Sequence, residues 1–258
     1  VNRTIIGLLL SICTISAGCA PQRGNPARFM LDHGGIIRGD VTQRRLALVF
    51  TGGSYGEGAA QILDALRDAH VKASFFMTGE FVAKPEHAPY FRRMVAEGHY
   101  VGPHSHGHLL YCPWDNRSKT LVTEQEFKTD LRTNLADLAA FGVPRRGERI
   151  YFIPPYEWFN EDQVQWSNDL DVRLFNFTPG IGSNRDWMPE TETNFTPSHK
   201  ILEDILAFEQ RDPAGLNGAI VLLHLGSLRQ DKMHRLLPQL LAELRRRGYA
   251  CVRIDRLI

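Results

Sequence analysis

His104, Ser105, His106, Gly107 and His108 place three imidazoles within five residues, directly after the breaker pair Gly102-Pro103. Neutral imidazole is a common protein ligand for borderline divalent metals. His104 and His108, four residues apart, converge on one ion if the backbone turns between them. An isolated His-x-x-x-His is more often a solvated polar loop, so its surroundings must decide. Three further segments concentrate polar, glycine or aromatic residues: Phe50-Thr51-Gly52-Gly53, Pro154-Pro155-Tyr156-Glu157-Trp158, and His224 after Leu222-Leu223. Imidazoles and a carboxylate drawn to one place are what metal-assisted or general acid–base hydrolysis requires.

Each cluster lies at the end of a short apolar run. Seven such runs read as strands, at residues 46–51, 72–78, 99–101, 150–153, 173–177, 219–225 and 250–254, and most read as buried on both faces. Helical periods lie between them. Phe127, Leu131, Leu135 and Leu138 follow a Thr123 to Glu126 capping box, and Leu237, Leu240, Leu241 and Leu244 end at Gly248. Alternating strands and helices predict an α/β fold: a distorted or incomplete (β/α) barrel with about seven parallel strands, a doubly wound open sheet being the alternative. Barrel loops after the strands converge on one mouth, so the four clusters are expected to share a cavity. Residues 180–196, the longest irregular segment, would lie over one rim.

The 258 residues are 43% hydrophobic, enough for one sizeable core. Lys plus Arg is 30 against 29 for Asp plus Glu, so no field draws in a polyanion and no nucleic-acid partner is expected. Arg3, an apolar run from Ile5 to Ile15, and Ser16-Ala17-Gly18-Cys19 have the order of a secretory signal. The run is too short to span a bilayer of about 30 Å. A cysteine directly after small residues resembles the bacterial lipobox. The implied organisation is a signal peptide at 1–18, a tether at 19–45 lipidated at Cys19, and one domain at 46–258. The implied location is that of an exported bacterial lipoprotein, membrane-anchored through the lipid, in the periplasm or at the cell surface. Cys112 and Cys251 remain in the domain, either paired or as free thiols.

Taken together, the motifs resemble the polysaccharide deacetylases, the NodB-homology domains of carbohydrate esterase family four, from about residue 46 onward. His104-Ser105-His106-Gly107-His108 is similar to the family's His-Ser-x-x-His motif, Phe152-Ile153-Pro154-Pro155-Tyr156 to its Arg-x-Pro-Tyr region, and Leu222-Leu223-His224 to its final Leu-x-His. The resemblance implies removal of N-acetyl or O-acetyl groups from a carbohydrate, an N-acetylated glycan or peptidoglycan-type substrate, by means of a divalent metal ion, zinc being expected. It implies His104 and His108 as metal ligands and His224 as the general acid.

The departures matter equally. Where the family reads Thr-Phe-Asp-Asp-Gly, this chain reads Val49-Phe50-Thr51-Gly52-Gly53, so both the base and the carboxylate ligand are missing. Ile153 replaces the Arg that holds the base. The motif whose Asp orients the terminal His survives only as Asn176-Phe177-Thr178. Two carboxylates are expected to compensate: Glu57 as the third metal ligand, and Glu157 as the base or a partner for sugar hydroxyls. Tyr156 and Trp158, with Trp187, offer faces for sugar rings. The alternative, from a different class, is a catalytically inactive deacetylase-like lipoprotein that binds glycan.

Overall fold

The structure, a computed structural model, describes residues 29–258. The expected signal peptide and the lipidation site Cys19 lie outside the described residues. Among the described residues nine strands follow in chain order: β1 Met30–Asp32, β2 Gly35–Arg38, β3 Arg45–Gly52, β4 Ser74–Met77, β5 Tyr100–Pro103, β6 Ile150–Phe152, β7 Val172–Leu174, β8 Ile220–His224 and β9 Ala250–Val252. The seven expected runs account for β3 to β9. Parallel pairing orders one sheet β5-β4-β3-β8, with β9 joined to the first half of β3, and a second sheet pairs β6 with β7.

The seam between β5 and β6 is not a ladder. There the Tyr100 hydroxyl accepts from the Tyr151 amide (2.8 Å) and donates to the Arg149 carbonyl (3.2 Å). The result is a distorted (β/α) barrel whose sheet does not close.

Part of the span expected as a tether, 19–45, is folded against the barrel. Residues 30–38 form an antiparallel hairpin whose second strand touches β8 through an Arg38–Ala219 bridge and the end of β7 through an Ile36–Phe175 bridge. Ile36 is buried in the barrel, and the buried Arg38 guanidinium bonds Asp212 Oδ2 (2.9 Å) and the carbonyls of Asn217 (2.9 Å) and Gly215 (2.7 Å). Strands of three and four residues are too short to register as periodicity.

Strand alternation sorts the apolar residues into two layers. Leu46, Leu48, Phe50, Phe75, Met77, Val221 and Leu223 pack outward against the helices. Ala47, Val49, Phe76, Tyr100, Tyr151, Ile153, Phe175, Ile220 and Leu222 fill the barrel interior. Each such fully buried aliphatic or aromatic side chain contributes about 1.5–3 kcal/mol. Two residues further along β3 and β8, the interior column ends in Thr51 and His224, which are register partners. The strand ends thus deliver polar groups to the mouth above a filled core. Cys112 and Cys251 are free thiols. No helix among the described residues is long and apolar enough to cross a membrane.

Candidate functional site

The histidine loop after β5 is held by one face of the helix Glu124–Ala139, which begins at the expected Thr123/Glu126 capping box. Asp130 and Asn134 are one turn apart and point to the same side. Asp130 accepts from Ser105 Oγ (2.6 Å) and from the amides of His106 (2.9 Å) and Gly107 (2.7 Å), while Asn134 Oδ1 accepts from the His104 amide (2.9 Å). Ser105 (φ 72°) and His108 (φ 51°) take left-handed backbone conformations that let the loop turn back. His106 bonds outward to Asp137 (2.7 Å) and takes no part in the mouth.

The turn brings His104 and His108 to a centroid separation of 5.1 Å. His104 Nδ1–H donates to the Ile153 carbonyl (2.8 Å), which leaves Nε2 as the ring's lone-pair nitrogen. Burial, with the neighbouring imidazole adding to it, holds His104 well below its ordinary value, and burial together with His224 brings His108 down to about 4. Both are neutral near pH 7.

His224 is oriented by Asp186, a residue that the sequence reasoning missed. The buried Asp186 carboxylate accepts His224 Nδ1–H (2.6 Å) through one oxygen and the His224 amide (2.9 Å) through the other. Burial lowers the His224 value, but the Asp186 charge and bond, aided by Glu157, more than offset this and raise it. The expectation that an orienting group survives only at 176–178 is therefore corrected. Asn176 donates instead to the Glu157 carbonyl (2.8 Å) and so braces the turn after β6. The available clue to Asp186 was slight: it is one of three acids in the rim segment 180–196, with Glu190 and Glu192.

In that braced turn Tyr156 (φ 57°) and Glu157 (φ 54°) are consecutive left-handed residues, an arrangement that costs about 1–3 kcal/mol per residue and persists only where surroundings enforce it. Burial pushes the Glu157 carboxyl up to about 7, against an opposing pull from His224. An acid whose folded value lies above its unfolded one contributes stability that is complete below the unfolded value and is lost as pH rises through the folded one. Glu157→Gln is therefore expected to match the parent near pH 4 and to exceed it near pH 8 by roughly 1–3 kcal/mol. Denaturant melts at both pH values check this, and a pH-independent difference contradicts it.

A metal held as the family's motif implies needs a carboxylate beside the two imidazoles, and the residues present do not supply one. Among the described residues no group of three His, Cys, Asp or Glu side chains is placed to share an ion. Glu57, the expected third ligand, is corrected: its carboxylate is bonded by Lys232 Nζ and by the Ser227 amide (3.0 Å). Burial alone would raise its value, but those bonds hold it below the usual carboxylate range. Glu80, close enough to influence His108, is engaged by Ser54 Oγ (2.7 Å) and Lys84 (3.1 Å), and Asp130 is committed to the loop. At Gly52 a Cβ would lie 2.7 Å from Met77 Sδ and 2.9 Å from Phe81 Cδ2, so side chains of the core fill the place of the missing acid. Thr51 Oγ1 is buried and, among the described residues, has no hydrogen-bond partner.

The aromatic residues also divide. Tyr156 is exposed, its ring 4.4 Å from that of His108. Trp158, expected as a sugar face, is half-buried, its Nε1–H bonded to the Pro113 carbonyl (3.1 Å) and the Arg117 guanidinium 4.5 Å from its centroid. Trp187, next to Asp186 in sequence, is exposed.

Comparison with known proteins gives a consistent picture. The family profile described as polysaccharide deacetylase matches residues 38–175. A peptidoglycan-N-acetylglucosamine deacetylase of Bacillus cereus is 23% identical over 225 residues, covering 86% of this chain and 73% of the relative. Among solved structures, the family 4 carbohydrate esterase PdaA of Bacillus subtilis superposes with a TM-score of 0.68 at 23% identity, covering 87% of this chain and 85% of that one. A wild-type CE4 family pseudoenzyme from Bacillus anthracis superposes with a TM-score of 0.67 at 21% identity, covering 88% and 69%.

Proposed function

Because the chain belongs to the polysaccharide deacetylase family, we propose that it binds an N-acetylated, peptidoglycan-type glycan at the barrel mouth without carrying out metal-assisted deacetylation. The observation that carries this reading is the filled space at Gly52, which removes the carboxylate ligand and gives its volume to Met77 and Phe81. The retained half of the site suits recognition. With Nδ1–H committed to Asp186, Nε2 faces the ligand, and the imidazolium form, which the Asp186 charge favours, donates Nε2–H to an acetamido carbonyl. Glu157, poised near neutrality, accepts or donates to the amide or to a sugar hydroxyl, and Thr51 Oγ1 gains a partner when a ligand or water fills the mouth. The Bacillus cereus relative acts on peptidoglycan N-acetylglucosamine by its name, and the Bacillus anthracis relative is described as a pseudoenzyme; together they support a glycan ligand on an inactive scaffold. Export and attachment through lipid on Cys19 would place the mouth where such glycans are found.

One observation favours a second reading. Glu157 near pH 7 and an Asp186-oriented His224 are an acid–base pair able to assist water attack on an acetyl carbonyl: Glu157 takes the water proton and His224 protonates the leaving amine. Measuring acetate release beside binding of the same glycan separates the two. The proposal expects binding without release; release that persists in chelator and disappears in Glu157→Gln establishes the second reading.

A further inference from the structure

The ring contacts continue outward from the mouth. Tyr156, against His108, meets Trp114 edge-on at 5.7 Å and 83°, and Trp114 stacks on Trp158 at 5.9 Å and 28°. Behind Trp158, Arg117 is fixed by Asp32 (2.8 Å) and the Phe159 carbonyl. Trp114 is nevertheless 62% exposed and Tyr156 46%. A large indole with this much open surface, stiffened from behind by a tryptophan and a pinned guanidinium, has given up its mobility without gaining burial. An outside partner would recover the apolar area.

We infer that Trp114 is a glycan-stacking platform for the sugar ring next to the one whose acetamido group enters the mouth, with Tyr156 closing the corner between them. This rests on the glycan-binding reading above and adds a subsite to it. The near-perpendicular pair forms a ledge and a wall: the C–H face of a pyranose lies on the indole, and its edge hydroxyls meet the Tyr156 hydroxyl. Continuity with His108 through Tyr156 makes the occupant part of the same chain of sugars. Trp158 supports the ledge rather than forming it, because Arg117 and Trp114 already cover it.

Titration of the purified chain with tetra-N-acetylchitotetraose, read by calorimetry, tests the platform. Trp114→Ala is expected to weaken binding about tenfold, with Trp114→Phe recovering most of it and melting temperatures unchanged. If Trp114→Ala binds as tightly as the parent, the platform is overturned while the glycan reading stands. If the parent binds no tetrasaccharide, the glycan reading itself fails and the platform with it. A concentration-dependent dimer in sedimentation that disappears in Trp114→Ala, with glycan affinity unchanged, overturns the platform in favour of a second copy as its occupant.

Discussion

Asp186→Ala is expected to lower the unfolding free energy by about 3–5 kcal/mol and to abolish binding at the mouth. The carboxylate is buried and takes two bonds from one residue, so its removal leaves both the imidazole Nδ1–H and the amide of His224 without an acceptor. Without the charge that raises it, burial lowers the His224 value and disfavours the imidazolium form. Asp186→Asn isolates this effect from the loss of packing. An amide facing Nδ1 reverses the tautomer, so the nitrogen spectrum of the imidazole should move the proton to Nε2 and the His224 titration midpoint should drop. An unaltered midpoint in Asp186→Asn would falsify the orienting role.

Gly52→Asp, which puts back an acid where the family has one, is expected to cost about 1–3 kcal/mol by overpacking, and more through burial of a charge. It is expected to confer no stoichiometric zinc binding. Met77 and Phe81 are both fully buried, and the rigid Phe81 ring cannot yield as the thioether can. An unchanged midpoint together with one tightly held zinc per chain would mean that the neighbours give way and that a metal site is latent in the fold.

The barrel was legible because buried parallel strands announce themselves as apolar runs; run 46–51 ends in Thr51, and run 219–225 carries its register partner His224 one residue before its end. The hairpin at 30–38 was not, since its anchoring depends on Arg38 reaching carbonyls some 180 residues away in sequence. At the site, His104, His108 and His224 were singled out by type and position, and the fold brings the three imidazoles near one another. Their supports were hidden for physical reasons. Asp130 and Asn134 look like an ordinary solvated helix face until the loop is seen folded over them. Asp186 acts from a loop whose path no periodicity encodes. Glu57 showed that nearness in sequence to a motif does not set a side chain's partner: Lys232, 175 residues away, takes its carboxylate. Trp158, expected as a sugar face, lies behind Trp114 because stacking order depends on the loop that carries Trp114, which packs over the turn after β6.

The most direct test of glycan binding without metal-assisted hydrolysis is a single measurement made twice. Tetra-N-acetylchitotetraose is titrated into the protein with added zinc and again with excess chelator, and acetate is assayed at the end of each titration. The expected result is one affinity in both titrations and no acetate in either. Acetate released with zinc, suppressed by chelator and absent in His104→Ala would contradict it, and would show that the two imidazoles recruit a metal and run the family's reaction after all.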